Sequence, residues 1–204
     1  MLYIFDNADK IVDDFPDGMI SLLSSDRYAK MQKLRSPLKK KASVAAYLLL
    51  RLALKVDYGI NEAVEFEYAE KGKPILRDYP HIKFNLSHSK NTVACVVSND
   101  EVGVDVQHIT PISDSVAKRV LTECEFKAFK ESMTPDNYFC EIWVIKEAFL
   151  KKTGQGIASE LRDLTADKVT DKLLYKGKDY YCCACGPDME IKLIRREDIE
   201  QLYN

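Results

Sequence analysis

No apolar run in this chain reaches the ~18 residues that a membrane-spanning helix needs, so none is expected. The stretch Met1-Leu2-Tyr3-Ile4-Phe5-Asp6 lacks both a basic start and a long apolar region, so no secretory signal is expected there. An excess of positive charge is also missing. The net charge is -2, which argues against bulk nucleic-acid binding and leaves room for a local basic patch. No low-complexity stretch and no internal repeat stands out. Cys182-x-x-Cys185 has no second cysteine or histidine pair behind it at zinc spacing, and its alternation with Tyr180 and Ala184 predicts a buried strand. With Cys95, Cys124, Cys140 and Cys183 beside that pair and no secretion signal, the cysteines are expected as reduced thiols in a cytoplasmic protein. What is present is a globular composition. Of 204 residues 46% are apolar and 30% charged, enough for one large domain or two small ones.

Leu2 to Phe5 reads as a strand. Ser25 to Val56 is helical in pattern, in two parts. Ser25-Asp26 caps the first; Ser36-Pro37 opens the second, which Gly59 closes. That second helix is apolar around much of its circumference from Val44 to Leu54, which predicts a core helix. Val64 to Tyr68 alternates as a half-buried strand, and Lys71-Gly72-Lys73-Pro74 is a turn. Strands are expected from Ile82 to Leu86 and from Thr92 to Ser98. A turn at Asn99-Asp100-Glu101 then brings Val102 to Val106 back as the second arm of a hairpin. Helices follow at Asp114 to Val120, at Thr122 to Ser132 with a Thr122/Glu125 capping box, and at about Asn137 to Lys152, closing at Gly154 and Gly156. Leu173 to Tyr175 and Asp179 to Cys185 are strands about a Lys176-Gly177-Lys178 turn, and Glu190 to Ile194 is a last strand. Strands and helices without regular βαβ alternation predict an α+β fold, with a boundary near Ile109-Thr110-Pro111.

Two segments carry chemistry. In Gly103-Val104-Asp105-Val106-Gln107 the strand alternation puts Asp105 and Gln107 on one face and the two valines on the other. In Trp143 to Lys151, helical spacing puts Trp143, Glu147 and Lys151 on one face, with Lys146 at its flank. If these faces meet, two carboxylates and an amide oxygen stand beside ammonium groups. Mg²⁺ takes oxygen ligands of this kind, with waters and substrate phosphates completing its octahedron. The plainer readings are a solvated Glu–Lys helix pair and a turn aspartate.

The motifs Gly72-Lys73-Pro74, Phe84-Asn85-Leu86-Ser87-His88-Ser89, Val102-Gly103-Val104-Asp105-Val106 and Trp143-x-x-Lys146-Glu147-Ala148-Phe149-x-Lys151-x-x-Gly154-x-Gly156 occur in this order. From about Ser25 to Ile157 the chain resembles the 4′-phosphopantetheinyl transferases, specifically the larger two-lobed class of the surfactin-synthetase-activating type. The resemblance implies a pseudodimer of two similar α/β lobes, residues 1–108 and 109–204, with the active site in the cleft between them. It implies transfer of the phosphopantetheine arm of coenzyme A to a serine of an apo acyl or peptidyl carrier protein, with release of adenosine 3′,5′-bisphosphate. Coenzyme A is then the co-substrate, Mg²⁺ the metal with Mn²⁺ as the alternative ion, and a monomer the expected state.

The resemblance also assigns residues. Asp105 and Glu147 match the magnesium carboxylates, and Gln107 stands where many members carry Glu. Lys146 and Lys151 match phosphate-binding and catalytic lysines, with Glu147 the first candidate base for the serine proton. Ser87 and His88 match contacts to the coenzyme's phosphates, and Lys73 one near its adenine end. The basic stretch Arg27, Lys30, Lys33, Arg35, Lys39, Lys40 and Lys41, with Ser43, lies where the family binds the 3′-phosphate. By composition alone that stretch is equally a solvated helix face. His81 and His108 show no partners and are expected to be structural or surface residues, and Trp143 to anchor its helix by packing. Two other functions use the same residues: a metal-dependent hydrolase of nucleotide diphosphates, and a non-catalytic module that binds coenzyme A or a carrier protein.

Overall fold

The structure, a computed structural model, describes residues 1–6, 8, 17–154 and 161–202. Its elements in chain order are β1 (Leu2–Phe5), α1 (Asp17–Ile20), α2 (Ser25–Gln32), α3 (Pro37–Tyr58), β2 (Phe66–Tyr68), β3 (Pro74–Leu76), β4 (Lys83–Ser89), β5 (Thr92–Ser98) and β6 (Gly103–His108). Then come α4 (Asp114–Val120), α5 (Glu123–Glu131), α6 (Pro135–Thr153), β7 (Lys172–Lys176), β8 (Tyr180–Cys185), β9 (Ile191–Leu193) and α7 (Arg196–Glu200).

Three helices form where the sequence supplies one end or both. The Ser36 hydroxyl accepts the Lys39 N–H, Pro37 occupies the first turn where no N–H is needed, and Gly59 closes α3 in the left-handed region at φ 69°. Gly154 closes α6 in the same way at φ 68°. Gly156 and Ile157 lie outside the described residues. The Thr122/Glu125 capping box of α5 is present with both of its bonds. The N-cap of α2 is Ser24, one residue before the expected Ser25, and its side chain makes no capping bond.

The strands build two main sheets. One has the order β4-β5-β1-β9, the other β6-β8-β7, and β2 and β3 form a separate hairpin. Alternation sorts each strand between two cores. Tyr3, Phe5, Val93, Cys95 and Val97 pack with α3. Leu2, Ile4, Ala94 and Val96 meet Val104, Val106, Tyr180, Cys182 and Ala184 of the other sheet. On that sheet's far side, Tyr181, Cys183 and Cys185 join α6 in a third core. The layers run helix, sheet, sheet, helix. Strands β5 and β8 are covered on both faces, so their sequences are almost continuously apolar. All six cysteines are free thiols, and the three of β8 are buried.

The expected hairpin of β5 and β6 does not form. Both edges of β5 are taken, by β4 and β1, so the returning chain has no edge to join and crosses to pair with β8. Residues 1–108 and 109–204 therefore do not map one-to-one onto the sheets. The change of sheet falls between Ser98 and Gly103, and β9 returns to lie parallel to β1. Ile194 and Ile199 follow it into the core around α3.

Gly103 marks the closest approach of β6 and α6. An added Cβ would stand 2.1 Å from the Ala148 carbonyl oxygen and 2.3 Å from the Lys152 nitrogen, both backbone atoms that cannot step aside. Gly103→Ala is therefore expected to cost at least about 1–3 kcal/mol of unfolding free energy, the scale of overpacking a tight contact. Urea unfolding measures it; a variant as stable as the parent would show that strand and helix separate at little cost.

Candidate active site

Because β6 alternates, Val104 and Val106 enter the inter-sheet core while Asp105 and Gln107 lie under α6. Glu147 and Lys151, one turn apart on α6, come to the same place. The Lys151 ammonium donates to Asp105 Oδ1 at 2.6 Å, to the Val104 carbonyl at 3.1 Å and to Ser87 Oγ at 3.2 Å. Asp105 is 6% exposed and Glu147 3%.

Glu147 is the unsettled member of this group. Its buried Oε1 has no hydrogen-bond partner among the described residues. Burial raises its carboxyl pKa, and the Asp105 charge raises it further, against an opposing pull from Lys151. Two buried carboxylates thus lie near one partly exposed ammonium, which is bonded to Asp105. His88 sits beside them with an exposed edge. Loss of water lowers its pKa, and the positive charge of Lys151 lowers it further.

Four residues expected at the coenzyme make other contacts here. Lys146 faces away from the carboxylates, since neighbours on a helix cannot share a face. It is 0% exposed, and its three N–H donors are taken by Glu125 Oε2 at 2.6 Å, the Val120 carbonyl at 2.8 Å and the Leu161 carbonyl at 2.9 Å. Burial lowers its pKa while Glu125 pulls it back up. Burial alone would raise Glu125, but hydrogen bonds from Lys146 and from the Ala166 and Thr122 N–H groups hold it below the usual range. This is a buried ion pair, with no donor left for a phosphate. Ser87, too, is buried, and its hydroxyl is engaged by protein atoms. Arg27 and Ser43 come together, but as partners of each other: an Arg27 nitrogen donates to Ser43 Oγ at 2.9 Å. The guanidinium is buried over the rings of Phe66 and Tyr47, at 5.3 and 5.7 Å, so it acts as a packing cation.

The other predicted contacts are distributed around the site. Lys73 donates to Glu101 Oε2 at 2.6 Å and to the Lys152 carbonyl at 2.9 Å, bridging the β2–β3 turn to the end of α6. A cavity of about 260 Å³ runs from that turn past Asn85 to Lys151. Lys30 is exposed and its ammonium lies 5.3 Å from the centre of the Tyr68 ring. Lys33 and Arg35 are exposed. Lys39 reaches close enough to His88 to lower its pKa, and Lys41 lines a groove with Leu38, Ala42 and Lys90. Gln107 donates its amide nitrogen to the His108 carbonyl at 3.2 Å. A narrow cavity of about 160 Å³ opens beside it between Ile112, Phe139, Cys140 and Trp143. Trp143 stacks on Phe139 at 6.0 Å, His81 is exposed, and His108 is buried against Tyr180. Glu125, Asn85 and Ser89 support the surroundings without having been singled out: Glu125 holds Lys146, and Asn85 and Ser89 accept from the Val104 and His108 N–H groups. The alternation Asn85-x-Ser87-x-Ser89 is the one signal that points to two of them.

Comparison with known proteins gives the same direction. The profile of the 4′-phosphopantetheinyl transferase superfamily matches residues 101–185. The 4′-phosphopantetheinyl transferase HetI of Nostoc is 35% identical over 151 residues, covering 69% of this chain and 63% of that protein. The putative 4′-phosphopantetheinyl transferase slr0495 of Synechocystis is 32% identical over 167 residues, covering 78% of this chain and 68% of that protein. The chain belongs to the 4′-phosphopantetheinyl transferase superfamily. Sfp of Bacillus subtilis, a further relative, is 28% identical over 148 residues, covering 71% of this chain and 66% of that protein. The chain spans just under two thirds of the length of several curated Bacillus relatives, at 66% and 63%.

For a member of this superfamily the fit of a metal can be judged from the donors. Among the described residues no group of three or more His, Cys, Asp or Glu could hold an ion. Two buried carboxylates, one with an orphaned oxygen, fit a hard cation whose remaining oxygens would come from elsewhere. No helix among the described residues is long and apolar enough to cross a membrane.

Proposed function

We propose that the chain transfers the 4′-phosphopantetheine arm of coenzyme A to a serine of an apo acyl or peptidyl carrier protein. The observation that carries this reading is the buried Asp105–Glu147 pair with its uncommitted Glu147 oxygen beside Lys151. The two helix-backed sheets correspond to the two lobes of the family's pseudodimer, and the junction of β4, β6 and α6 to its cleft. In this reading the enzyme acts as a monomer in the cytoplasm.

In this reading the carrier serine attacks the β-phosphorus of coenzyme A, and adenosine 3′,5′-bisphosphate leaves. Glu147 takes the serine proton on Oε1, which no protein donor occupies. Asp105, Glu147 and Gln107 would hold Mg²⁺ or Mn²⁺, which when bound neutralises charge on the diphosphate. His88 orients the non-bridging oxygens, and the Lys151 ammonium, held by Asp105, Val104 and Ser87, supplies positive charge beside them. Lys73 closes the far end of the cavity that would take the nucleotide. The apolar slot beside Gln107 suits a narrow chain such as the arm itself. Mass spectrometry of an apo carrier after incubation with coenzyme A and Mg²⁺ tests the reading. Transfer adds the arm; consumption of coenzyme A without a mass gain marks a hydrolase; neither marks a binding module.

The pH dependence follows from Glu147. Without metal its pKa is raised by burial and by the Asp105 charge, so its ionised form appears only above the ordinary glutamate range. A raised folded pKa gives a contribution that is complete below the unfolded value and lost as pH rises through the folded one. Without metal, Glu147→Gln is thus expected to melt higher than the parent at neutral pH and no higher in acid. Melting curves in EDTA across pH measure it, and a neutral-pH loss would show the carboxylate already satisfied.

A further inference from the structure

Strands β4 and β6 belong to different sheets and share no backbone ladder. They are nonetheless joined rung by rung. The N–H of Val104 donates to Asn85 Oδ1 at 3.0 Å, that of Val106 to Ser87 Oγ at 3.2 Å, and that of His108 to Ser89 Oγ at 3.1 Å. Alternate side chains of one strand thus stand where backbone carbonyls would. They satisfy the outer edge of β6, an edge strand whose amides would otherwise be buried without partners.

The middle rung differs from its neighbours. A serine hydroxyl has one proton to give and two lone pairs to accept with. Ser87 gives its proton to Asp105 Oδ1 at 2.8 Å and accepts from the Val106 N–H and from the Lys151 ammonium. All three positions are filled, and the residue is 7% exposed. No capacity remains for a coenzyme phosphate.

We infer that Ser87 is a positioning residue: it fastens β4 to β6 and, with the same hydroxyl, orients the Asp105 carboxylate. Oδ1 is held by Ser87 and Lys151, so Oδ2 is the oxygen presented to a cation. One atom then links the docking of the two sheets to the geometry of the carboxylate. This inference rests on Asp105 being a cation ligand, so its test reads cation binding apart from transfer.

The experiment compares the parent with Ser87→Ala, Ser87→Thr and Ser89→Ala. Mg²⁺ is titrated by calorimetry and by thermal shift with coenzyme A present, and kcat and KM for coenzyme A are measured separately. Ser87→Ala is expected to raise half-saturating Mg²⁺ roughly tenfold, the scale of one lost charge-assisted hydrogen bond, and to lower kcat with little change in KM. Ser87→Thr keeps the hydroxyl and should restore both. Ser89→Ala removes a rung outside the carboxylate site; it should lower the melting temperature and leave the Mg²⁺ requirement alone. If Ser87→Ala does not fold, Ser87→Cys, which keeps a weak donor of similar size, is expected to show a smaller rise. Unchanged Mg²⁺ half-saturation in the folded Ser87 variants overturns the inference. So does a raised KM for coenzyme A with an unchanged Mg²⁺ requirement, which would make Ser87 a substrate contact. A parent that binds Mg²⁺ but transfers nothing refutes the transferase reading, while the Ser87 comparison is still read from binding.

Discussion

Asp105→Ala and Glu147→Ala are each expected to lower carrier-protein modification by more than about a hundredfold. The reason is the number of oxygens available. Among the described residues the site offers two carboxylates and no third acidic, His or Cys ligand, so removing either leaves a cation with one protein charge. Loss of Asp105 also strands Lys151, whose ammonium rests on Asp105 Oδ1. Loss of Glu147 removes the orphaned oxygen proposed to accept the serine proton. Loss of Glu147 should not unfold the protein. Glu147 makes no hydrogen bond through Oε1, and burial together with the Asp105 charge disfavours its ionised form. The measurement is the initial rate of mass gain by an apo carrier at saturating coenzyme A and Mg²⁺, together with the melting temperature of each variant. Near-parental rates in either folded variant would remove that residue from the chemistry.

Lys146 should behave in the opposite way, as a residue whose loss is felt in stability. Lys146→Ala leaves Glu125 buried without its ammonium partner and opens a cavity in the core between α5 and α6. Breaking a buried pair from one side costs about 3–5 kcal/mol. Glu125 keeps its bonds to the Thr122 and Ala166 N–H groups, and these place its charge against an empty space. Replacing both partners, as in Lys146→Met with Glu125→Gln, should recover part of that loss, because no unpaired charge remains. Urea unfolding of the parent, both single variants and the double variant gives the coupling between the two positions. A destabilisation below about 1 kcal/mol for Lys146→Ala would show that water reaches Glu125 and that the pair is not buried in solution. Since Lys146 sits one residue from Glu147, activity measurements on this variant alone cannot assign it a role in phosphate binding.

Much of the local structure is legible without coordinates because it depends on neighbours in sequence. Ser36, Pro37 and Gly59 bound α3, and Thr122 with Glu125 starts α5, since caps are made within a single turn. The Asp105–Glu147 pairing is legible for a related reason: one strand face and one helix face each follow from periodicity, and only their meeting has to be supposed. The hairpin of β5 and β6 was not legible. Alternation marks a strand but does not say which edge it joins, and here β1, far away in sequence, already holds the edge of β5. Lys146 shows the same limit. A lysine beside a site carboxylate reads as a phosphate ligand until Glu125, Val120 and Leu161 are seen around its ammonium.

The sequence by itself determines most of the strands and helices, though not α1, β3 or α7, where α3 and α5 begin, and that two acids, an amide and lysines lie on faces able to form one site. These are consequences of spacing and capping over a few residues. Only the tertiary structure decides which lysine points into that site, which sheet β6 joins, and that Ser87 holds Asp105 while Arg27 packs on rings. Those outcomes depend on atoms brought together from distant parts of the chain, where competition for a sheet edge and the cost of burying an unpaired charge choose among arrangements that local pattern leaves equal.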